Sequence, residues 1–299
     1  MDRRIGRQPY AAGFRNVTDN LLHPLQNIRK YGASDFIHNE IFNFSFNPDR
    51  MQFLPNYSLH LVGNAMQYVK LAEWYAYHGY PLPRTLSLLT TVSYQLLNEA
   101  LENGNYRGAN VDPIADMLIF NPLGLLLFST NWAKRFFSTT FPIFDWSGQP
   151  FLCPFDGRME NAGQQYAAKA AVADSGRYSL FFYWGVQTVI GASIARSDGA
   201  AFSCGIGSVA YDLRYGVNNQ GRIVTAVTKP ILGLFYDREN SLLASLILSP
   251  DAEYIRLELF PGLVSLGRVQ IGFYGAHLPP DNRQFGISLR GLPLGVVFE

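Results

Sequence analysis

The chain has 299 residues and a formal net charge of +1, and it contains no long basic run that would recognise nucleic acid. Only 16% of its residues are charged, where about 25% is typical of a soluble domain, and 14% are aromatic. This composition argues against a nucleic-acid partner and favours contact with membrane lipid, which is the expected partner.

The N-terminal segment, residues 1–50, shows no sustained periodicity and is predicted to be irregular. One short strand is predicted at Glu40–Asn47, where Phe42, Phe44 and Phe46 alternate with other residues. The first residues lack the apolar stretch of a secretory signal peptide, so an exported protein would have lost its leader beforehand.

Residues 51–145 are predicted to form an apolar helical subdomain. Apolar residues at helical spacing predict one helix over Tyr57–His78 and a second over Thr85–Glu102. Asn103 and Gly104 are typical of a helix end and stop the second helix.

A third helical segment is predicted to start with Asp112 as its N-cap and Pro113 at its first helical position. Pro122 is expected to kink or break it, and a further helix is expected to run to about Ser138. The most apolar window, Met117–Phe128, is short and interrupted, so a simple transmembrane helix is not expected.

Residues 160–299 are predicted to form an antiparallel β domain, because the period changes to two and turn signals become frequent. Tyr178–Ala195 and Ala201–Val217 are long for strands of a soluble domain, where about 5–6 residues are usual. Each is predicted to be one long strand or a bent pair, and long meandering strands are typical of outer-membrane barrels.

Side chains alternate clearly in Tyr254–Phe260, where Arg256 and Glu258 oppose Ile255 and Leu257. A membrane barrel would turn the apolar face outward, whereas a soluble sandwich or dry-core barrel would turn it inward. The sequence therefore predicts an α+β chain with an N-terminal helical subdomain and either an outer-membrane-like antiparallel β-barrel or a barrel-like sheet.

Polar residues of the helical subdomain could form a site within an apolar bundle. The candidate catalytic residues are His60, Glu99, Asp112 and Asp116. The accompanying polar residues are Glu73, His78, Asn98, Glu102 and Asn121. Glu99 and Glu102, and likewise Asp112 and Asp116, share a helix face at spacings of three and four.

Two kinds of role are open for these residues. Converging carboxylates and an imidazole are able to hold a metal or to act as general acid and base, although no particular cofactor or metal is indicated. Ordinary structural roles are the more common explanation of such residues: Asp112 as a helix cap, Glu102 facing water, and His60 as a hydrogen-bonded core histidine.

Standard catalytic motifs are missing from the chain: there is no nucleophile elbow, HExxH, P-loop or dinucleotide fingerprint. Cys153 and Cys204 are far apart and form no zinc-ligand spacing. They are expected either to form a single disulfide or to be two buried thiols.

Several segments resemble known envelope proteins. Phe120–Phe128 resembles the apolar Pro-Gly segment of VanZ-like proteins, which span the inner membrane by helices. Leu54–His60, Glu73-Trp74 and Asn110–Asp116 resemble an uncharacterised family of Gram-negative envelope proteins. The resemblance covers about residues 54–128; it implies location in the cell envelope and carries no established activity.

Three functions follow as hypotheses. The first is a bacterial envelope protein, expected in the outer membrane, with a structural or lipid-contacting role and no reaction. The second is a membrane lipid-modifying enzyme that uses the His/Glu/Asp residues. The third is a soluble lipocalin-like carrier that holds an apolar ligand inside the β half.

Overall fold

The computed structural model of the chain describes residues 3–42, 44, 54–104, 110–172, 176–218, 221–250, 254–278 and 282–299. These residues form helices followed by a large β-sheet, which confirms the α+β class. The chain divides into two compact units. The helical unit comprises residues 8–136 and 213–226, and the sheet unit comprises residues 1–7, 137–212 and 227–299.

Helices make up most of the first unit. The α-helices are α1 (Tyr10–Leu22), α2 (Pro24–Tyr31), α3 (Ala33–Phe36), α4 (Asn64–Tyr77), α5 (Pro83–Glu102), α6 (Asp112–Ala115), α7 (Asn121–Ser129) and α8 (Asn131–Arg135). Wider π-helical turns of this unit occur at Ile37–Ile41, Leu54–Gly63 and Asp116–Phe120. Another π-helical turn, Phe136–Thr140, leads into the sheet unit, and a short 3₁₀ turn, Ile5–Arg7, belongs to the sheet unit. The apolar core of the helical unit includes Phe36, Val111, Ile114 and Phe120.

The prediction of an irregular N-terminal segment is wrong, because residues 10–41 are almost wholly helical. The buried face of α1 carries Gly13, Val17 and Asn20 instead of an apolar stripe. The sequence of α1 therefore lacks the helical period of apolar residues from which a helix is predicted. Packing on α5 stabilises it: a Cβ on Gly13 would lie 1.7 Å from the carbonyl oxygen of Ala100. The predicted strand falls partly in helix at residues 40–41, and its residues 43 and 45–47 lie outside the described residues.

The next two predicted helices are confirmed, as the π-helical turn running into α4 and as α5. Asp112 as an N-cap is wrong by one residue, because Val111 occupies the cap position and Asp112 begins α6. Pro122 does not break the helix, which continues on both sides of it; a wider π-helical turn, Asp116–Phe120, lies immediately before α7, where Pro122 removes one backbone N–H.

The stretch Asp112–Ser129 is helical throughout and has the length and hydropathy of a membrane-crossing helix. It carries two carboxylates near its start, and 44% of it is buried within the protein. A buried core helix meets the same criteria, so this stretch does not by itself indicate a membrane span.

Strands make up most of the second unit. They are β1 (Ile143–Asp145), β2 (Phe151–Leu152), β3 (Met159–Glu160), β4 (Gln165–Ala171), β5 (Tyr178–Gly185), β6 (Gln187–Ala195), β7 (Ala200–Asn218), β8 (Gly221–Arg238), β9 (Ser241–Ser249), β10 (Tyr254–Leu266), β11 (Val269–Leu278), β12 (Asn282–Leu289) and β13 (Gly295–Phe298). The first long run is thus a hairpin of β5 and β6, and the second is the single strand β7.

These strands form one sheet in the order β1-β4-β5-β6-β7-β8-β9-β10-β11-β12-β13-β2-β3. The pairing of β13 with β2 is parallel, whereas the other registered pairs are antiparallel. Over the described residues the order is open, with β1 and β3 at its ends, so the structure establishes a large sheet and not a closed barrel.

The sheet curves so that strands far apart in its order meet across an interior. Lys169 on β4 contacts Asp237 on β8 at 2.7 Å, and Arg256 on β10 contacts Gln187 on β6 at 2.9 Å. Aromatic rings centred on Trp146 fill part of this interior.

The alternation in the sheet runs opposite to that of a soluble protein. On β10, Glu258 is buried, whereas Ile255 and Leu257 are 47% and 43% exposed. On β12, Ser288 is buried while Phe285 is 52% exposed. On β10 and β12, therefore, polar residues face the interior and apolar residues face outward, whereas apolar residues such as Phe181 and Ile247 fill another part of the interior.

The two cysteines are both free thiols. Cys153 is buried, whereas Cys204 is exposed on the outward face of β7. The disulfide alternative is therefore wrong, and the buried-thiol alternative holds for Cys153 alone.

Candidate functional site

A polar stripe on α5 faces the interior of the helical unit. Its buried members are Ser87, Thr91, Gln95 and Glu99, which follow one another at intervals of four residues. Successive residues at this spacing lie on one helix face. The opposite face of α5 is apolar and exposed. The polar and apolar faces of this helix therefore have the reverse of the burial usual in a soluble protein, where the apolar face is buried.

Three side chains from three different elements meet at the end of this stripe. His60 comes from the π-helical turn Leu54–Gly63, Glu99 from α5, and Asp116 from the π-helical turn that follows α6. One ligand atom from each lies within 4.8 Å of the others. Glu99 and Asp116 are 1% and 2% exposed, and the His60 side chain is 12% exposed.

Two further carboxylates extend this group. Glu99 also belongs to a second group, which it forms with Glu102 and Asp112. One carboxylate oxygen from each of these three residues lies within 4.8 Å of the other two. Glu102 is exposed and Asp112 half-buried, so they form the accessible side. We call His60, Glu99, Glu102, Asp112 and Asp116 the carboxylate cluster.

Two buried asparagines hold the histidine side of the cluster. The Asn64 amide nitrogen donates to the Asn121 side-chain oxygen at 3.0 Å and lies 3.5 Å from His60 Nδ1. The other ring nitrogen, Nε2, lies 3.5 Å from Asp116 Oδ2. With Nδ1 turned toward an amide, the ring is oriented so that Nε2 points into the cluster.

A second group of asparagines holds the glutamate side. The Asn103 amide nitrogen donates to the Glu99 backbone oxygen at 2.9 Å and contacts its Oε2 at 3.4 Å. Asn110 in turn donates to Asn103 and accepts from the backbone N–H of Asp112. This chain of amides ties the end of α5 to the start of α6.

The electrostatics of the cluster favour uncharged forms. Burial raises the pKa of Glu99 and of Asp116 well above the usual carboxyl range, and the charge of Asp112 raises both further. Burial lowers the pKa of His60 to about 4, against a smaller opposing effect of its hydrogen bond with Asn121. The contact of His60 with Asp116 is therefore between a neutral imidazole and a carboxyl group, not an ion pair.

The carboxylate cluster contains every sequence-predicted catalytic candidate and one of the accompanying residues, Glu102. Asn121 lies beside it and contacts Asn64. Asn98 donates to Glu102 at 2.8 Å from the exposed side. Glu73 and His78 take no part, since both are exposed on or just after the last turns of α4.

Three residues near the cluster were missed by sequence reasoning. Glu40 is buried, and burial together with the charge of Asp112 raises its pKa to about 8. Asn64 was predicted only as part of the helix over Tyr57–His78, and Asn103 only as the end of the following helix, so neither was linked to a site. The spacing of four residues from His60 to Asn64 and from Glu99 to Asn103 was the available signal.

Comparison of the chain with protein-family models, with curated proteins and with solved structures gave no match. Function must therefore be argued from the geometry of the site and of the two units.

Proposed function

We propose that this chain is a bacterial envelope protein whose sheet closes as an outer-membrane barrel, with a structural or lipid-contacting role. The observation that carries the proposal is the direction of the alternation on β10 and β12, where apolar side chains lie outward and polar ones inward, together with the apolar residues exposed on further strands. In a bilayer the surroundings are apolar and offer no hydrogen-bond partner, so this direction is favourable there. In water it would expose a large apolar surface.

The extent of the outward apolar surface supports a lipid environment over a local docking patch. It recurs on β6, β7, β8, β10, β12 and β13. Its exposed members include Ile190, Ile194, Phe202, Ile206, Leu232, Leu234, Ile255, Leu257, Phe285, Ile287, Val296 and Phe298. A single protein partner rarely covers residues on so many strands of one curved sheet.

The buried side of the sheet supports the same proposal. Arg256 donates to Asn161 at 3.1 Å, and Asn161 donates to Glu258 at 2.8 Å. Hydrogen-bonded polar residues of this kind are typical of the inside of a membrane barrel, where they are shielded from lipid.

The hypothesis of an apolar-ligand carrier is disfavoured. A carrier needs an apolar cavity inside its barrel, and here Trp146, Phe181 and Phe235 pack against one another in the interior. The polar network around Arg256 would also oppose burial of an apolar ligand beside it.

A lipid-modifying enzyme is the second candidate, and the convergence of His60, Glu99, Asp112 and Asp116 favours it specifically. The exposed face of α5, opposite its buried polar stripe, carries Leu88, Leu89 and Val92, which are suited to contact acyl chains. The reaction class that fits is one in which a polar headgroup reaches the cluster while its chains rest on apolar side chains.

Fractionation tests the first proposal. The native protein, expressed in a Gram-negative host with an export leader, should be recovered in the outer membrane and should shift in gel mobility on boiling. Recovery of folded protein in the soluble fraction, monodisperse without detergent, would contradict it.

Leu257→Arg gives a sharper version of that test. Facing lipid, this arginine should lower the free energy of unfolding in vesicles by about 2–4 kcal/mol at mid-depth. Ser241→Arg, at the exposed start of β9, is the matched control and should cost less. On a water-facing surface the two would be equally neutral, within about 0.5 kcal/mol, which would count against the barrel.

Lipid analysis tests the second candidate. Cells carrying Glu99→Gln or Asp116→Asn should lose a lipid species that cells carrying the native protein or Glu73→Gln contain. Identical lipid profiles, with equal amounts of folded protein in the membrane, would leave the first proposal alone.

A further inference from the structure

We propose that His60, Glu99 and Asp116 bind one divalent transition-metal ion of the Zn²⁺ or Mn²⁺ class. This site goes beyond the envelope role proposed above and does not depend on it. The ligand atoms would be a ring nitrogen of His60 and one carboxylate oxygen each from Glu99 and Asp116.

Unsatisfied buried oxygens are the first observation behind the site. Among the described residues, Glu99 Oε1 and Asp116 Oδ1 have no hydrogen-bond partner, although both residues are almost fully buried. Leaving a buried carboxyl oxygen unpaired costs about 1–3 kcal/mol or more, and such groups call for a missing partner. These two oxygens belong to side chains that approach each other and His60.

Uncompensated charge is the second observation. Within the described residues no Lys or Arg forms an ion pair with any member of the carboxylate cluster, and the contact given is that of His60 with Asp116. Glu102, Asp112 and Glu40 place more carboxyl groups around it. A dication would neutralise these groups and remove their mutual repulsion.

The mixture of donors decides the class of ion. An imidazole nitrogen together with carboxylate oxygens suits Zn²⁺, Mn²⁺ and Fe²⁺, whereas Mg²⁺ and Ca²⁺ prefer oxygen ligands alone. Three protein ligands leave a further coordination position for water or substrate, as in catalytic zinc sites.

Positioning of the ligands argues against a chance cluster of acids. Asn64 and Asn121 orient the ring of His60, and Asn103 holds Glu99. Outer hydrogen bonds of this kind are typical of metal sites, where they fix ligand orientation. The competing account is a set of protonated carboxyl groups that bind no ion.

Metal titration of the full-length protein distinguishes the two accounts. The protein is stripped with EDTA and titrated calorimetrically with Zn²⁺, with Mg²⁺ as comparison and Co²⁺ as a spectroscopic probe. We expect one Zn²⁺ per chain, preference over Mg²⁺, and a visible Co²⁺ band. His60→Gln, Glu99→Gln and Asp116→Asn should each weaken Zn²⁺ binding by more than about 100-fold, since even outer-shell losses cost about 10–100-fold.

Matched controls come from α4 and the residue that follows it. His78→Gln and Glu73→Gln remove the same chemical groups from exposed positions and should leave Zn²⁺ affinity unchanged. Glu99→Gln and Asp116→Asn are nearly isosteric and relieve repulsion, so their melting temperatures in EDTA should not fall. If Glu99→Gln or Asp116→Asn fails to fold, the Co²⁺ spectrum of His60→Gln tests the site instead. Loss of the imidazole nitrogen as a ligand should shift the visible Co²⁺ absorption band.

Two outcomes would overturn the site. One is a stripped native protein that takes up no Zn²⁺. The other is an affinity that His78→Gln and Glu73→Gln reduce as much as His60→Gln does.

Discussion

The two units of this protein both bury polar residues and expose apolar ones, but they treat buried charge differently. In the sheet unit Lys169 bonds both oxygens of Asp237 at 2.7 Å. Glu258 there accepts from Asn161 and from the backbone N–H of Gln149. In the helical unit Glu99 and Asp116 each keep a buried oxygen that has no partner in the described part of the chain.

That difference separates a structural network from a binding site. A buried ion pair that is fully hydrogen-bonded is self-contained and needs no ligand. Converging carboxyl groups without a counter-charge are costly unless protonated or bound to a cation. Lys169 and Asp237 of the sheet unit are therefore paired with each other, and the helical unit is where a ligand is expected.

The largest effect is expected from breaking a pair in the sheet. Lys169→Met leaves Asp237 buried without its cation and should lower the free energy of unfolding by about 3–5 kcal/mol. The measurement is urea unfolding in detergent micelles or vesicles. The double variant with Asp237→Leu should recover most of the loss, and a single variant as stable as the native protein would show that the pair is dispensable.

A change of opposite sign is expected in the helical unit. The pKa of Glu40 is raised from 4.5 to about 8, first by burial and then by the charge of Asp112, while the Tyr31 hydroxyl donates to it. Below pH 4.5 the group is protonated in both states and costs nothing. As pH rises toward 8 only the unfolded state ionises, so the native protein loses stability.

Glu40→Gln removes that loss, because the amide mimics the neutral carboxyl group. In EDTA, the variant should nearly match the native protein at pH 4.5 and exceed it by roughly 4 kcal/mol at pH 8, about 1.4 kcal/mol being the effect of each pKa unit. Urea unfolding across this range measures it. A stability difference that does not change with pH would contradict the assignment.

A smaller effect is expected where two helical elements touch by backbone. A Cβ on Gly124 of α7 would lie 2.3 Å from the carbonyl oxygen of Leu61, so α7 would have to move away. Gly124→Ala should cost about 1–3 kcal/mol and should also weaken Zn²⁺ binding, because α7 carries Asn121. Gly6→Ala meets no atom within 4 Å and is the control; equal losses in both would argue against steric contact.

The smallest effects are expected at the exposed polar residues. Asn98→Ala and His78→Ala should change the free energy of unfolding by less than about 0.5 kcal/mol and leave Zn²⁺ affinity intact. A marked loss of affinity in Asn98→Ala alone would extend the site to the exposed side of Glu102, which Asn98 contacts.

Local patterns in the sequence were sufficient for much of the fold. The helix over Pro83–Glu102 and the strands of the C-terminal half follow from period and turn signals, which depend on neighbouring residues. The helices of residues 10–41 were missed because Gly13 and Asn20 occupy their buried face. Such packing is created by α5 and leaves no apolar stripe to detect.

The candidate residues of the site were also readable, but their assembly was not. Glu99 with Glu102 and Asp112 with Asp116 follow from helical spacing. His60 joins them from an element almost forty residues away in the chain, and nothing local indicates which face of that element turns inward.

By itself the sequence determined that one half is helical, that the other alternates with a period of two, and which acidic residues share a face. Only the tertiary structure decided that Arg256 and Glu258 face inward and Leu257 outward. The physical reason is that alternation defines two faces without saying which environment each meets. That choice depends on which strands and helices close around an interior, and these lie far apart in the chain.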